Sequence, residues 1–241
     1  MVEEFMNNQN EVKNIIELLK QNKSTDSKVS DSFFHRYPVK TLDVRTPVTR
    51  KLANEYYAEH SELRDVNVTL GLVEELLASG YTTTRTFAMQ LLSKQYKNLR
   101  KEHFELFEKW VDKYVKDWAT NDDFSTHYMV HLLKEYPELI DKIVKWTKSK
   151  NFWKRRFCAT SFVPLGRKGI YLEPILKIAS ELAYDKEDMV QKGTGWMLKD
   201  ASVSFKEEVI EFLKDYKDAP RTFLRCALER YEKEEKNIIL K

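Results

Sequence analysis

Turn-forming and cross-linking residues are scarce in this chain. Its 241 residues include 6 Gly, 6 Pro and 2 Cys, too few turn formers for the many hairpins of a β-sandwich or β-barrel. Cys158 and Cys226 are far apart and form no Cys-x-x-Cys pair, which argues against a disulfide framework or a structural zinc site. This cysteine usage suits a reducing cytoplasm.

Long apolar runs and a strong charge imbalance are also absent. No stretch approaches the apolar length of about 20 residues that crosses a bilayer, and the polar first residues lack the apolar core of a signal peptide. We therefore expect a soluble, cytoplasmic protein without a membrane partner. With 41 basic and 38 acidic residues, the net charge of +3 does not by itself indicate a nucleic-acid partner.

Amphipathic helical periodicity runs through most of the sequence. It is visible at 12–19 and resumes after a polar run at 21–32, which we interpret as a helix connection. With 42% hydrophobic residues the chain can bury a core, so we predict a single all-α domain over residues 1–241. Further helices are predicted at 47–59, 67–78, 84–96, 103–116, 124–135, 137–148, 152–162, 172–182, 187–200, 205–213 and 219–232.

An internal repeat is present in the second helices of successive pairs. Arg85, Arg156 and Lys192 each precede a small residue by three positions, and Arg225 follows with a small residue one place early. The spacings of 71, 36 and 33 residues leave room for one more repeat, whose matching position is Asp122. The period favours a HEAT-like helical-repeat solenoid, an α-α superhelix in which these five side chains form a row on a concave, basic face. The alternative is that charges simply flank helix starts on a solvated surface.

Two indoles and one carboxylate are candidates for chemistry. Trp118 and Asp122 are four residues apart and would share a helix face. The alternatives are a core aromatic for Trp118 and an N-cap for Asp122. Trp196 follows Gly193 and Gly195, and two glycines within a helix cost about 2 kcal/mol relative to alanine. Either close helix packing or access for a ligand would explain them.

Other sequence features bear on phosphate, metal and cofactor binding. In the basic run Lys154-Arg155-Arg156, the repeat register directs Arg156 inward and Arg155 to a side or outer face. His127 and His131 have the spacing of a helical metal pair, but no third ligand is evident. The chain has no phosphate-binding or dinucleotide glycine motif and no nucleophile elbow. We expect neither a metal nor a nucleotide cofactor.

Several motifs resemble those of one known family. The segment 42–52 is similar to a Gly-Val-x-x-Pro-x-x-Arg element, with Asp43 where glycine is common. The chain also contains Trp-x-x-x-Asp ending at Asp122, Trp-x-x-Arg ending at Arg156, and Gln-Lys-x-x-Gly-Trp ending at Trp196. In these motifs the sequence resembles the DNA alkylation repair glycosylases built from HEAT-like repeats. The match runs over most of the chain.

The resemblance implies an activity and four catalytic residues, Trp118, Asp122, Arg156 and Trp196. The substrates would be N3- or N7-alkylated purines in double-stranded DNA, whose positive charge makes the departing base a neutral leaving group. Asp122 would stabilise positive charge on the deoxyribose and orient the attacking water. Arg156 would hold the phosphate beside the lesion, while the two indoles lie against the sugar and the base stays largely in the duplex.

The same resemblance suggests a DNA-binding surface with no cofactor. Backbone contacts would make binding salt-sensitive and independent of sequence, and we expect a monomer. Ala119 and Asp43 depart from the family pattern, so a noncatalytic protein that binds branched or distorted DNA is the first alternative. The second is a protein-binding scaffold, which predicts buried Trp118 and Trp196. The candidate DNA contacts are Arg45, Arg50, Arg85, Lys154, Lys192 and Arg225.

Overall fold

A computed structural model describes residues 2–25 and 39–241 of the chain. The regular secondary structure of this part of the protein is helical, and it contains no β-strand; a single parallel bridge joins Lys40 and Tyr81. The all-α prediction is confirmed. None of the helices in these residues is both long and apolar enough to pass through a membrane.

The chain divides into two compact units, Met1–Thr120 and Asn121–Lys241. In the first unit, α3 packs against α4 and α1, and α2 packs against α4. A 3-10 segment continues α4 to Asn98, so the helix predicted at 84–96 changes its winding after residue 92. The helices of this unit are α1 (Val2–Gln21), α2 (Thr46–Glu59), α3 (Val66–Ala78), α4 (Thr82–Leu92) and α5 (His103–Tyr114).

The second unit is organised around α12, which packs against α9, α14, α11 and α10. Short 3-10 turns flank α8, and the boundary between the units falls inside α6. From α6 on, the helices are α6 (Trp118–Asp123), α7 (Val130–Glu135), α8 (Ile140–Val144), α9 (Phe152–Ser161), α10 (Val163–Arg167), α11 (Leu172–Leu182), α12 (Asp188–Ala201), α13 (Lys206–Asp215), α14 (Arg221–Ala227) and α15 (Lys233–Ile239).

Some predicted helix boundaries are wrong. The helix predicted at 124–135 begins six residues earlier, at Trp118. Pro164 was predicted to lie in a break between helices but lies within α10, where it occupies the first turn and removes no helical hydrogen bond. The helix predicted at 219–232 is shorter and is followed by α15, which was missed. The predicted connection at 21–32 lies partly outside the described residues, because 26–38 are not among them.

Asp43 adopts a backbone conformation that favours glycine. Its φ is 56°, in the left-handed region where a side chain is strained and where Asp and Asn are the best-tolerated residues after glycine. The Thr41 hydroxyl accepts a hydrogen bond from the Asp43 amide at 3.0 Å. The replacement of glycine at this position therefore keeps the turn that leads into α2.

Candidate functional site

The centre of the candidate site is a two-point ion pair within the second unit. Arg156, in α9, donates from Nε to Oδ1 of Asp122 at 3.0 Å and from Nη2 to Oδ2 at 2.7 Å. The side chains are 7% and 17% exposed, respectively. Paired bonds of this kind are directional as well as strong, so both oxygens of the Asp122 carboxylate are held in a fixed orientation while the side chain remains partly exposed.

Helix α12 supports Arg156 from the other side. Arg156 Nη1 donates to the backbone carbonyl of Met189 at 2.6 Å, and Gly193 packs against the arginine side chain. The bonds to Asp122 and Met189 use three of the five guanidinium N–H groups. Positions 189, 193 and 196 are spaced as neighbours on one helix face, so half-buried Trp196 lies one turn along the face that contacts Arg156.

A buried hydroxyl and amide network lies next to the ion pair. The Thr160 hydroxyl is 2.8 Å from the Ser125 hydroxyl and donates to Asn121 Oδ1 at 3.2 Å. Asn121 Nδ2 donates to the Trp153 carbonyl at 2.9 Å. Since Thr160, Ser125 and Asn121 have no measurable exposure, these bonds fasten the chain around Asp122 to α9. A satisfied buried network of this kind keeps one arrangement of its side chains.

The backbone beside Asp122 departs from regular α-helix. A π-helical turn, Phe124–Met129, begins two residues after it, and the Thr126 hydroxyl donates to the Asp122 carbonyl at 2.6 Å. π-Helical turns are rare and occur frequently at functional sites, because they shift the register of side chains around the helix. This feature distinguishes the Asp122 segment from every other helix in the described residues.

Trp118 and Arg85 belong to the first unit. Trp118 is 38% exposed, so the alternative that it fills the core is wrong. Asp117 caps the first turn of α6 by accepting from the Thr120 amide at 2.8 Å, which replaces the alternative in which Asp122 is an N-cap. Arg85 donates to Asp117 at 2.9 Å and is 7% exposed. Its burial and its carboxylate partner do not support the predicted phosphate contact.

The other predicted DNA contacts differ in accessibility. Lys154 is buried, with its ammonium 4.9 Å from the Trp146 ring centroid, so it also lacks support as a phosphate contact. Lys192 is partly exposed and pairs with Asp188 at 3.2 Å. The remaining three, Arg45, Arg50 and Arg225, are exposed.

Both glycines of α12 are explained by close helix packing. A Cβ at Gly195 would lie 2.6 Å from Cys226 Cβ and 2.7 Å from the Phe223 carbonyl oxygen, so α14 leaves no space for a side chain. A Cβ at Gly193 would lie 3.0 Å from Arg156 Cγ. Of the two explanations considered for these residues, the packing one holds at both positions.

Metal and thiol chemistry find no support in the described residues. His127 Nδ1 bonds to the Asp123 carbonyl at 2.9 Å, and no group of three or more candidate metal ligands occurs in residues 2–25 and 39–241. Burial raises the pKa of the Cys158 thiol, which keeps it protonated and inaccessible. The site therefore offers a carboxylate, a guanidinium and an indole.

The repeat pattern placed Asp122 and Arg156 in one row but did not indicate that they pair, and it gave no partner for Arg155. Arg155 makes its own two-point ion pair with Asp185, at 2.6 and 2.9 Å, and Arg156 uses the Met189 carbonyl. Each arginine reaches an aspartate about one repeat length away, 30 residues for Arg155 and 34 for Arg156. An acidic residue one period from a basic one was the signal available in the sequence.

Comparisons with known proteins agree with the helical architecture and the motifs. A family model described as DNA alkylation repair enzyme matches residues 15–231. A solved structure described as a predicted DNA alkylation repair enzyme from Enterococcus faecalis matches with a TM-score of 0.77 and 15% identity, covering 88% of this chain and 98% of that one. A search of curated proteins gave no match. The chain belongs to the DNA alkylation repair enzyme family.

Proposed function

We propose that the protein is a DNA glycosylase that hydrolyses the N-glycosidic bond of cationic N3- or N7-alkylated purines in duplex DNA. The observation that carries the proposal is the partly exposed Asp122 carboxylate, fixed at both oxygens by Arg156 and adjoining a π-helical turn. A preorganised carboxylate is suited to a reaction in which positive charge develops on the substrate.

The chemistry requires little beyond this carboxylate. An alkylated purine leaves as a neutral base, so no side chain has to protonate it. As the bond to the base breaks, positive charge grows on the deoxyribose, and Asp122 stabilises that charge and orients the water that attacks the sugar. The face of Trp196 supplies cation–π stabilisation to the same sugar. Trp118 is assigned this second role on the family motif alone.

The phosphate contact proposed for Arg156 rests on the family resemblance and not on exposure, because Arg156 is as buried as Arg85. The two N–H groups that the bonds to Asp122 and Met189 leave unused would make that contact. Lys192 and Arg225 in the second unit, with Arg45 and Arg50 in the first, are the proposed backbone contacts. Such contacts add affinity without reading sequence, so specificity would come from the chemistry of the lesion.

Release of free base tests the proposal. The native protein is incubated with duplexes carrying N7-methylguanine or N3-methyladenine, and the freed base is separated and quantified against an undamaged duplex. We expect release from both lesions and none from undamaged DNA. Binding to linear and branched duplexes is measured in parallel. Binding without release would identify the noncatalytic alternative, in which the Asp122–Arg156 pair is purely structural.

A further inference from the structure

Gly193 lies directly under the guanidinium that fixes Asp122. A Cβ built on Gly193 would lie 3.0 Å from Arg156 Cγ, 3.3 Å from Arg156 Nη1 and 3.3 Å from Thr160 Cγ2. Real Cβ atoms rarely approach other heavy atoms this closely. Alanine at position 193 would therefore require Arg156, Thr160 or helix α12 to move.

Neither neighbour is free to give way. An arginine side chain would ordinarily turn aside at small cost, but Arg156 is held by three hydrogen bonds that end on α6 and on α12. Thr160 is fully buried and bonded to Ser125 and Asn121. Close-packed interiors transmit such a displacement instead of absorbing it.

Gly193 lowers the stability of helix α12 relative to alanine, and another contact must compensate for that loss. Gly193 occupies the interior of a 14-residue helix, where glycine is the least favourable residue after proline. Gly195 in the same helix is explained by contact with the backbone of α14. The three heavy atoms nearest to a Cβ built on Gly193 are all side-chain atoms, and two of them belong to Arg156.

We propose that Gly193 is a positioning residue for the Asp122–Arg156 pair: its missing side chain gives Arg156 the space to lie across α12 and hold both carboxylate oxygens. The inference has a packing part, which is independent of any activity, and a kinetic part, which rests on the proposed function. Gly193 acts through Arg156 and touches no substrate.

The packing part is tested by thermal unfolding of Gly193→Ala in two backgrounds. In the native background the melting temperature should fall. In an Arg156→Ala background the fall should be smaller or replaced by a rise, because the helix gains alanine and the two close atoms of Arg156 are gone, while the Thr160 methyl group remains. A shift of the same sign and size in both backgrounds would overturn the proposal. If the Arg156→Ala variant does not fold, the packing part is tested by comparing the melting temperature of Gly193→Ala with that of the control variant Gly71→Ala.

The matched control is Gly71→Ala in α3. There a Cβ would meet only the end of the flexible Asn8 side chain, at 3.2 Å, so this variant should melt about 1–4 °C above the native protein. A Gly193→Ala variant that is stabilised as much as Gly71→Ala would contradict the inference. Thr160→Ser combined with Gly193→Ala removes the methyl contact and should not restore stability.

The kinetic part separates positioning from general destabilisation. At a temperature where all variants are folded, the single-turnover rate of base release at saturating DNA should fall about 10- to 100-fold in Gly193→Ala. The dissociation constant for undamaged duplex should change by a smaller factor than the rate, because Arg156 would be one of several backbone contacts, whereas the reaction depends on the orientation of Asp122. An unchanged rate with lowered stability would limit the role of Gly193 to packing and overturn the positioning claim. If the native protein releases no base, the stability comparison still tests the packing part.

Discussion

Two adjacent arginines give a matched test of how much the Asp122 ion pair contributes to stability and to function. Arg156 makes two bonds to Asp122 and one to the Met189 carbonyl. Arg155 makes two bonds to Asp185, one to the Ser149 carbonyl and a longer one, of 3.4 Å, to the Lys150 carbonyl. The perturbation is Arg156→Met in one variant and Arg155→Met in the other. Each removes the two-point ion pair together with the arginine's bonds to backbone carbonyls.

The expected loss of stability is similar for the two variants. The Arg155 and Asp185 side chains are 16% and 8% exposed, against 7% and 17% for Arg156 and Asp122. Removing one partner of a buried pair costs about 3–5 kcal/mol. At about 2–4 °C per kcal/mol for a chain of this size, the melting temperature should fall by roughly 6–20 °C. Methionine keeps the length of the apolar stem, so the loss reports mainly on the charge.

The two variants should differ in their rate of base release although they lose similar stability. The assays are a thermal melt and base release at a temperature at which both variants are folded. Arg155→Met should keep most of the native rate, and Arg156→Met should lose most of it because Asp122 is no longer oriented. An Arg156→Met variant that melts within about 2 °C of the native protein would refute the ion pair. Equal loss of release in both variants would refute its functional role.

Three further predictions follow from individual contacts. Gly195→Ala should destabilise the protein by about 1–3 kcal/mol in urea unfolding, since the new Cβ would overlap the backbone of α14; no destabilisation would contradict that packing. Lys192→Gln and Arg225→Gln should each lower the slope of log K against log salt for duplex binding by about 0.9, and unchanged slopes would remove them from the DNA-binding surface. Burial lowers the pKa of His103, so its contribution to stability is complete above the unfolded value of about 6.5 and declines as pH falls below it. His103→Asn should flatten the dependence of unfolding free energy on pH between about 7.5 and 5.5, and an equally steep dependence would exclude His103 as its source.

Helix positions were largely predictable because local signals determine them. Helix α11 has the bounds that were predicted, 172–182, because its apolar periodicity is strong. The start at Trp118 was missed although its capping residue, Asp117, is of a type favoured at helix N-termini. Asp117 also pairs with Arg85 from another helix, a contact on which propensity and periodicity contain no information.

The candidate site was predictable in composition but not in geometry. The repeat register assigned Arg156 and Arg155 to different faces, and the structure gives them different carboxylate partners, Asp122 and Asp185. The register also grouped Arg85 with the DNA contacts, whereas the structure buries it against Asp117. A repeat pattern indicates which positions are equivalent. It does not indicate whether a charge at that position is already neutralised by a neighbouring helix.

Asp122 forms an ion pair with Arg156, so a noncatalytic DNA-binding protein could also retain this carboxylate for its structural role. The most direct test compares single-turnover release of N7-methylguanine by Asp122→Asn and by its matched control Asp185→Asn, each checked for folding and for duplex binding. Asp122→Asn should bind DNA and lose most of its release rate, while Asp185→Asn should stay near the native rate. Native-like release by Asp122→Asn would contradict the role proposed for Asp122.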